Sequence, residues 1–271
     1  MRPAEETLAL RHALALGLLQ GPAELLPVSS SAHTTLVPWL AGWPYARLDG
    51  ELRKSFEVAL HAGAGLALAI DMRGELREGL ATIDRQRAGV LTLTLLPPVL
   101  AGYTLRGAIE RHLGGPRSIA AGMALGGLAM GLADWRSSST RRCTDARALD
   151  GLLLGLAQAA ALVPGVSRNG SALTAARARG FERESAQAFS WNAALPVILG
   201  AGALKGARLI RDGAPRQARA GLALGGATAF ASTLASARIL ARRDRPRSLL
   251  GYSIYRCLLA GLVMMRLRRA Q

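Results

Sequence analysis

Cysteine is scarce in this sequence. The 271 residues hold two, Cys143 and Cys257, too few and too far apart for a disulfide framework or a cysteine-based metal motif. Aromatics make up only 4% of the chain, so a stacking platform for nucleobases is poorly supplied. Acidic residues are few: 18 Asp and Glu stand against 34 Lys and Arg, for a net charge of +16. A balance this basic suits an anionic partner. The arginines fall in nearly every loop rather than along one helix face, so nucleic acid is not the expected partner. Anionic membrane lipids are the simpler one. The same even spread gives no inside–outside bias, and leaves topology unassigned. The opening MRPAEETLALRHALALG puts acidic residues ahead of an apolar run, and does not read as a cleavable signal.

Half of the residues are apolar, and they recur as runs separated by short charged loops. The runs are Phe56–Met72, Val90–Leu105, Ser118–Asp134, Ala148–Val163, Ala186–Leu204, Ala218–Ala241 and Ser248–Leu267. A helix needs about 20 apolar residues to cross a bilayer, and several of these runs are near the lower limit. A large soluble helical core is the other reading of such runs. Their number and their few interior charges favour an all-α, polytopic integral membrane protein. GGLAMG at Gly126–Gly131 and GLALGG at Gly221–Gly226 suit close helix approach.

Two stretches interrupt this pattern in similar ways. Gln20–His33 reads QGPAELLPVSSSAH, and Gln158–Thr174 reads QAAALVPGVSRNGSALT. Each begins with Gln and reaches a proline and then a hydroxyl-rich turn, and Gln20–Ser29 has the spacing of Gln158–Ser167. A first helix is predicted over Thr7–Leu19, broken at Gly21-Pro22 and again at Pro27. Short helices are predicted at about Ala32–Leu40 and Ala172–Arg179, both too short to span. Arg47–Lys54 and Arg106–Arg117 read as polar loops, 73–88 as a charged extramembrane turn, and Pro97-Pro98 as a kink in the second run. VSRNGS reads as a tight turn. The chain is predicted to be one membrane domain of two repeats, about 1–134 and 148–271, joined by a polar connection at 135–147. Broken helices repeated in two halves are typical of inverted-topology membrane proteins, and each break would form a re-entrant helical hairpin.

A carboxylate in a membrane helix costs about 2.5–3.5 kcal/mol, so Glu24 should be paired or useful. Gln20 lies one turn before it and can donate to it. Arg168 precedes a short helix whose N-terminus can bind phosphate, and its guanidinium adds a two-pronged fork. The flanking Gly165 and Gly170 free the backbone to turn its amides inward. His33 beside Ser29, Ser30 and Ser31 can move a proton or attack. Ser29, Ser30 and Ser167 can equally be helix caps. Glu57 and His61, four apart on one helix face, read as structural or supporting groups.

With these motifs in view, nearly the whole chain resembles the undecaprenyl pyrophosphate phosphatase family, also called the bacitracin-resistance family. The motifs are Gln20, Glu24, Leu26-Pro27-Val28-Ser29-Ser30 and His33, then Pro164-Gly165-Val166-Ser167-Arg168 followed by Gly170. The resemblance implies a membrane hydrolase that removes the terminal phosphate of undecaprenyl pyrophosphate. Its site would open on the outer face of the bacterial cytoplasmic membrane. Glu24, His33, Arg168, Ser30 and Ser167 would be catalytic; Gln20, Ser29, Gly165, Asn169, Gly170 and Ser171 would bind substrate. The family is associated with divalent cations, so Mg²⁺ or Ca²⁺ would be held by Glu24 together with substrate phosphates. Gln20 stands where many members have Glu, Asn169 where Ser is usual and Ala172 where Thr is common, with Ser171 and Thr174 close enough to compensate. Two other readings compete: a transporter or flippase of polyprenyl phosphates, and a weakly catalytic lipid-binding paralogue. A homo-oligomer is compatible with the sequence.

Overall fold

The computed structural model describes residues 8–212, 218–241 and 248–269. The expected helix start at Thr7 and the opening residues before it lie outside them. Every regular element longer than a bridge is helical: α1 Leu10–Leu25, α2 Ser30–Ala41, α3 Gly50–Asp71, α4 Arg73–Ala81, α5 Arg85–Leu113, α6 Pro116–Arg136, α7 Ala148–Ala160, α8 Arg168–Ala178, α9 Arg183–Asp212, α10 Arg219–Ala241 and α11 Leu250–Arg269, with short 3₁₀ turns at Pro44–Arg47 and Cys143–Asp145. Among the described residues, four segments are long and apolar enough to cross a membrane: Arg85–Leu105, Pro116–Arg136, Arg219–Leu240 and Leu250–Arg269. A fifth is added if Gly50–Asp71 and Arg73–Gly79 act as one. The chain is an all-α, polytopic membrane protein.

The first helix does not break at Gly21-Pro22. Pro22 lacks an N–H, which strips the Leu18 carbonyl of its helical partner. Ser232 Oγ, on α10, donates to that carbonyl at 2.6 Å, and α1 continues to Leu25. Pro98 of α5 is accommodated in the same way. Pro98 orphans the Thr94 carbonyl, Gln158 Nε2 donates to it at 3.0 Å, and α5 runs through both prolines to Leu113. The loop expected at 106–117 is therefore confined to the Gly114-Gly115 junction. The loop expected at Arg47–Lys54 is also shorter, because Asp49 caps α3 by accepting from the amides of Glu51 and Leu52. The charged segment at 73–88 folds as α4 and the first turn of α5.

Contacts gather into two compact units. The first comprises the described parts of Met1–Leu25, His33–Leu76 and Leu195–Arg242. Here α10 packs on α1 and α3 around Leu16, Phe56, Leu60, Leu222 and Ala229. Small residues set the approach: a Cβ on Gly21 would strike the Ser232 and Thr233 backbone, and one on Gly225 the Phe56 ring. Burying Phe56 fully is worth roughly 1.5–3 kcal/mol, provided that glycine leaves it room.

The second unit comprises the described parts of Leu26–Ala32, Arg77–Ala194 and Arg243–Gln271. It pairs α5 with α7 and α6 with α11, and α8 packs on both α6 and α7. Met130, Leu154, Leu173, Phe181, Ala186 and Leu249 lie at its core. Two carboxylates tie it together at one end. Asp134 accepts from Arg177 Nε at 2.7 Å, Arg183 Nη2 at 2.9 Å and the Leu249 amide at 3.0 Å. Asp150 accepts from both Nη atoms of Arg141, at 3.0 and 2.6 Å, and from Arg179 Nε at 2.7 Å. The bond to Asp150 raises the Arg141 proton affinity above that of an ordinary arginine. Asp150 opens α7 and Arg179 closes α8, so the two helices begin and end together. Their break lies elsewhere, at the middle of α6: a Cβ on Gly122 would meet the Pro164 carbonyl at 2.5 Å, and one on Gly126 the Val166 carbonyl at 3.0 Å.

Candidate active site

In the first unit, Gln20 and Glu24 share one buried face of α1, and Gln20 Nε2 donates to Glu24 Oε2 at 3.0 Å. Their spacing of four places them one helical turn apart, as the sequence suggests. Gln20 Oε1 has no hydrogen-bond partner among the described residues, although it is fully buried. Glu24 Oε2 also faces His61 Nε2 of α3 at 3.9 Å. His61 Nδ1 lies 2.8 Å from the Glu57 carbonyl. A carbonyl only accepts, so this contact assigns a hydrogen to Nδ1 and leaves Nε2 turned towards the carboxylate. His61 is thus a neighbour of Glu24. His33 and Thr34 are buried in the second turn of α2.

In the second unit lie both polar turns. Leu26–Ala32 carries Ser29, and 164–171 carries Ser167. Among the described non-glycine residues, positive φ occurs at Ser29 (74°), Ser139 (54°) and Ser167 (72°). Such a conformation costs of order 1–3 kcal/mol in a residue with a side chain. Both break-point serines adopt it, and both use the hydroxyl as a cap. Ser29 Oγ accepts from the Ala32 amide at 3.4 Å, and Ser167 Oγ from the Gly170 amide at 3.1 Å. Each serine therefore turns the chain and opens a helix in one step. Ser30 is the first residue of α2, and Ser31 Oγ lies 3.3 Å from Ser29 Oγ.

The predicted tight turn at VSRNGS is displaced by this cap. Helix α8 starts at Arg168, not Ala172, so Arg168, Asn169, Gly170 and Ser171 form its first turn. Arg168 is half-buried there. Asn169 Oδ1 accepts from Ser190 Oγ at 2.7 Å, and Ser171 Oγ donates to the Arg168 carbonyl at 2.9 Å. Gly165, at φ 96°, leaves no room for a side chain, since a Cβ would strike the Ile119 carbonyl.

Sequence reasoning missed Arg256. This residue of α11 is fully buried, and it donates from Nη1 to the Pro27 carbonyl at 3.3 Å and from Nη2 to the carbonyls of Gly165 and Val166 at 3.0 and 2.7 Å. Its signal was the one that marked Glu24: a lone charge inside an apolar run, here YSIYRCLLAGL. Gln158, matched to Gln20 by spacing, does a different job, since it bonds the α5 backbone rather than a carboxylate.

Among the described residues, no group of three or more His, Cys, Asp or Glu side chains is placed to hold a metal ion. Glu24 supplies one carboxylate, with the His61 imidazole facing it. This fits a cation that draws most of its ligands from phosphate oxygens and water.

The second unit offers helix N-terminal amides, an arginine and several hydroxyls at two repeated turns, and the first unit offers a buried carboxylate and a histidine. Residues 13–262 match the family model described as bacitracin resistance protein BacA. An undecaprenyl-diphosphatase of Geobacter sulfurreducens is 38% identical over 94% of this chain and 97% of its own length. One from Geobacter metallireducens is 37% identical over 92% and 95%, and one from Pelotomaculum thermopropionicum 35% over 96% and 97%.

Proposed function

The chain belongs to the bacitracin resistance protein BacA family, and from that premise we propose that it is an undecaprenyl-diphosphatase. It would cleave the phosphoanhydride of undecaprenyl pyrophosphate with water, giving undecaprenyl phosphate and inorganic phosphate. Recycling of this cell-wall lipid carrier would bring bacitracin resistance with it. The observation that carries the reading is the pair of breaks, each turned by a left-handed serine that opens a helix.

The chemistry follows from what each group can do. Arg168 and the first amides of α8 bind phosphate oxygens, because a helix N-terminus and a guanidinium both favour anions. Gly165, Asn169, Gly170 and Ser171 shape that turn, and Ser29 shapes its counterpart. Glu24, held by Gln20, accepts a proton or binds a cation. His33 transfers a proton, and Ser30 and Ser167 offer hydroxyls. A Mg²⁺ or Ca²⁺ ion on Glu24 and the substrate phosphates would neutralise charge on the pyrophosphate.

The two breaks are read as tips of re-entrant hairpins in an inverted repeat. Supporting this, Asp150 and Arg179 tie the start of α7 to the end of α8, while the tip packs on mid-α6 glycines. The site is assigned to the outer face of the cytoplasmic membrane, with the loop arginines on anionic lipids.

The test is phosphate release from undecaprenyl pyrophosphate by the purified protein in detergent. Release at a rate that scales with enzyme supports the assignment. Lipid binding without release would point to the non-catalytic paralogue. Movement of intact polyprenyl phosphate across liposomes, again without release, would point to a transporter.

A further inference from the structure

Arg256 stands out because its partners are matched. It lies in the second turn of α11, with no exposed surface. Its guanidinium bonds the Pro27 carbonyl, two residues before Ser29, and the Gly165 carbonyl, two residues before Ser167. It adds the Val166 carbonyl, immediately before Ser167. The two serines that follow these carbonyls are the two that turn the breaks at positive φ, 74° and 72°. An unfavourable backbone conformation persists only where its surroundings over-determine it. At each break a serine cap holds one side of the strained residue, and Arg256 holds the other.

The space around the head is reserved for it. A Cβ on Gly126 of α6 would collide with Nη2, and one on Gly170 of α8 would come within 2.7 Å of Nη1. Three carbonyl dipoles surround the guanidinium, and its Nε has no partner among the described residues. A lysine could supply the charge but not the planar fork that reaches two loops at once.

Resting on the phosphatase reading above, we propose that Arg256 is a positioning residue. It clamps the Pro27 and Gly165-Val166 backbones together, and so sets the aim of the amides and hydroxyls that follow each break. Arg256 touches no substrate. It acts through the Ser29 and Ser167 turns, and fixes how far apart they present their groups to one pyrophosphate.

The experiment compares three variants of the purified protein by kcat and KM, and by amide hydrogen exchange. Arg256→Lys keeps the charge and removes the fork. Gly126→Ala keeps the arginine and displaces its head with one methyl group that also comes within 3.0 Å of the Val166 carbonyl, so wild-type kcat in this variant would overturn the clamp even if Arg256→Lys fails to fold. Gly131→Ala is the control: it crowds Ser253 in the same α6–α11 seam, with its Cβ 3.0 Å from Ser253 Oγ. The first two should lower kcat by about a hundredfold, the scale of an ångström's misplacement, with a smaller change in KM. Exchange should quicken together in peptides covering 26–33 and 164–171, and stay unchanged in α10. Gly131→Ala should keep wild-type turnover and exchange. Wild-type kcat in Arg256→Lys and Gly126→Ala, or unchanged exchange at both turns, would overturn the clamp. If the wild-type protein released no phosphate, the proposed function would fall, and the exchange comparison would still decide whether Arg256 holds the turns.

Discussion

At the scale of single residues, the carboxylate of Glu24 and the fork of Arg168 make separable demands. Glu24 is buried against Gln20, and an amide in its place would neither accept a proton nor bind a cation. Glu24→Gln is expected to insert normally and lose nearly all turnover, while Gln20→Glu keeps or raises it. Phosphate release per mole of correctly inserted protein is the measurement, and full turnover in Glu24→Gln would make the carboxylate structural. Arg168 is the first residue of α8, at the helix end whose amides favour anions. If the fork engages the leaving phosphate, it meets charge that grows as the bond breaks, and losing such a donor costs about 2.7–4 kcal/mol, or roughly a hundredfold to a thousandfold in rate. Arg168→Ala should fall by that factor and Arg168→Lys by less, because charge survives without planarity. An arginine that merely reached for lipid head groups would tolerate lysine at no cost. Equal rates for wild type and Arg168→Lys would take the fork out of the mechanism.

At the scale of elements, what the sequence hid was mostly proline. Pro22 read locally as a break and Pro97-Pro98 as a kink, since each proline removes a donor and crowds the preceding turn. Two of the three orphaned carbonyls accept from side chains of distant helices: Leu18 from Ser232, 214 residues away, and Thr94 from Gln158, 64 away. No local window contains such partners. The breaks that were legible, at Pro27 and Pro164-Gly165, are those where a serine caps the next helix instead. Arg256 went unread for a related reason. Its carbonyl partners are 229, 91 and 90 residues away, and its helix is apolar enough on average to look bland. Gln20 and Gln158 test the point directly, because they match in spacing and differ in role. Gln158→Met keeps the volume and removes the donor to Thr94, leaving a buried carbonyl unpaired at about 1–3 kcal/mol. It should lower the thermal midpoint and leave kcat of the folded protein unchanged. Gln20→Met should do the reverse, lowering kcat through Glu24 with a smaller shift in midpoint. Identical behaviour in the two variants would mean that the spacing reflects one shared role.

At the scale of the whole molecule, membrane character was legible because burial in lipid constrains every turn of a helix, and the family was legible because its motifs are the breaks themselves. Topology was not, since arginines are spread over nearly all loops and carry no bias. Two positions flanking the second hairpin can supply it. Cys143 is exposed in the connection before α7, and Glu182 follows α8, within 3.8 Å of Arg142. If 148–178 enters and leaves on one side, both positions face the same compartment. If it crosses, they face opposite ones. A membrane-impermeant maleimide, applied to right-side-out and inverted vesicles, separates the two. One protein would carry Cys143 alone, with Cys257→Ala, and the other Glu182→Cys with both native cysteines replaced. Burial pushes the Cys143 thiol pKa above its usual value, so less thiolate is present near neutrality, and labelling should quicken as pH rises through and beyond the ordinary thiol range. Labelling is therefore compared at alkaline pH, where a slow thiol is not mistaken for a hidden one. Both cysteines should react from the same face of the membrane. Reaction from opposite faces would turn the hairpin into a span, and would remove the re-entrant tip on which the pyrophosphate site is proposed to rest.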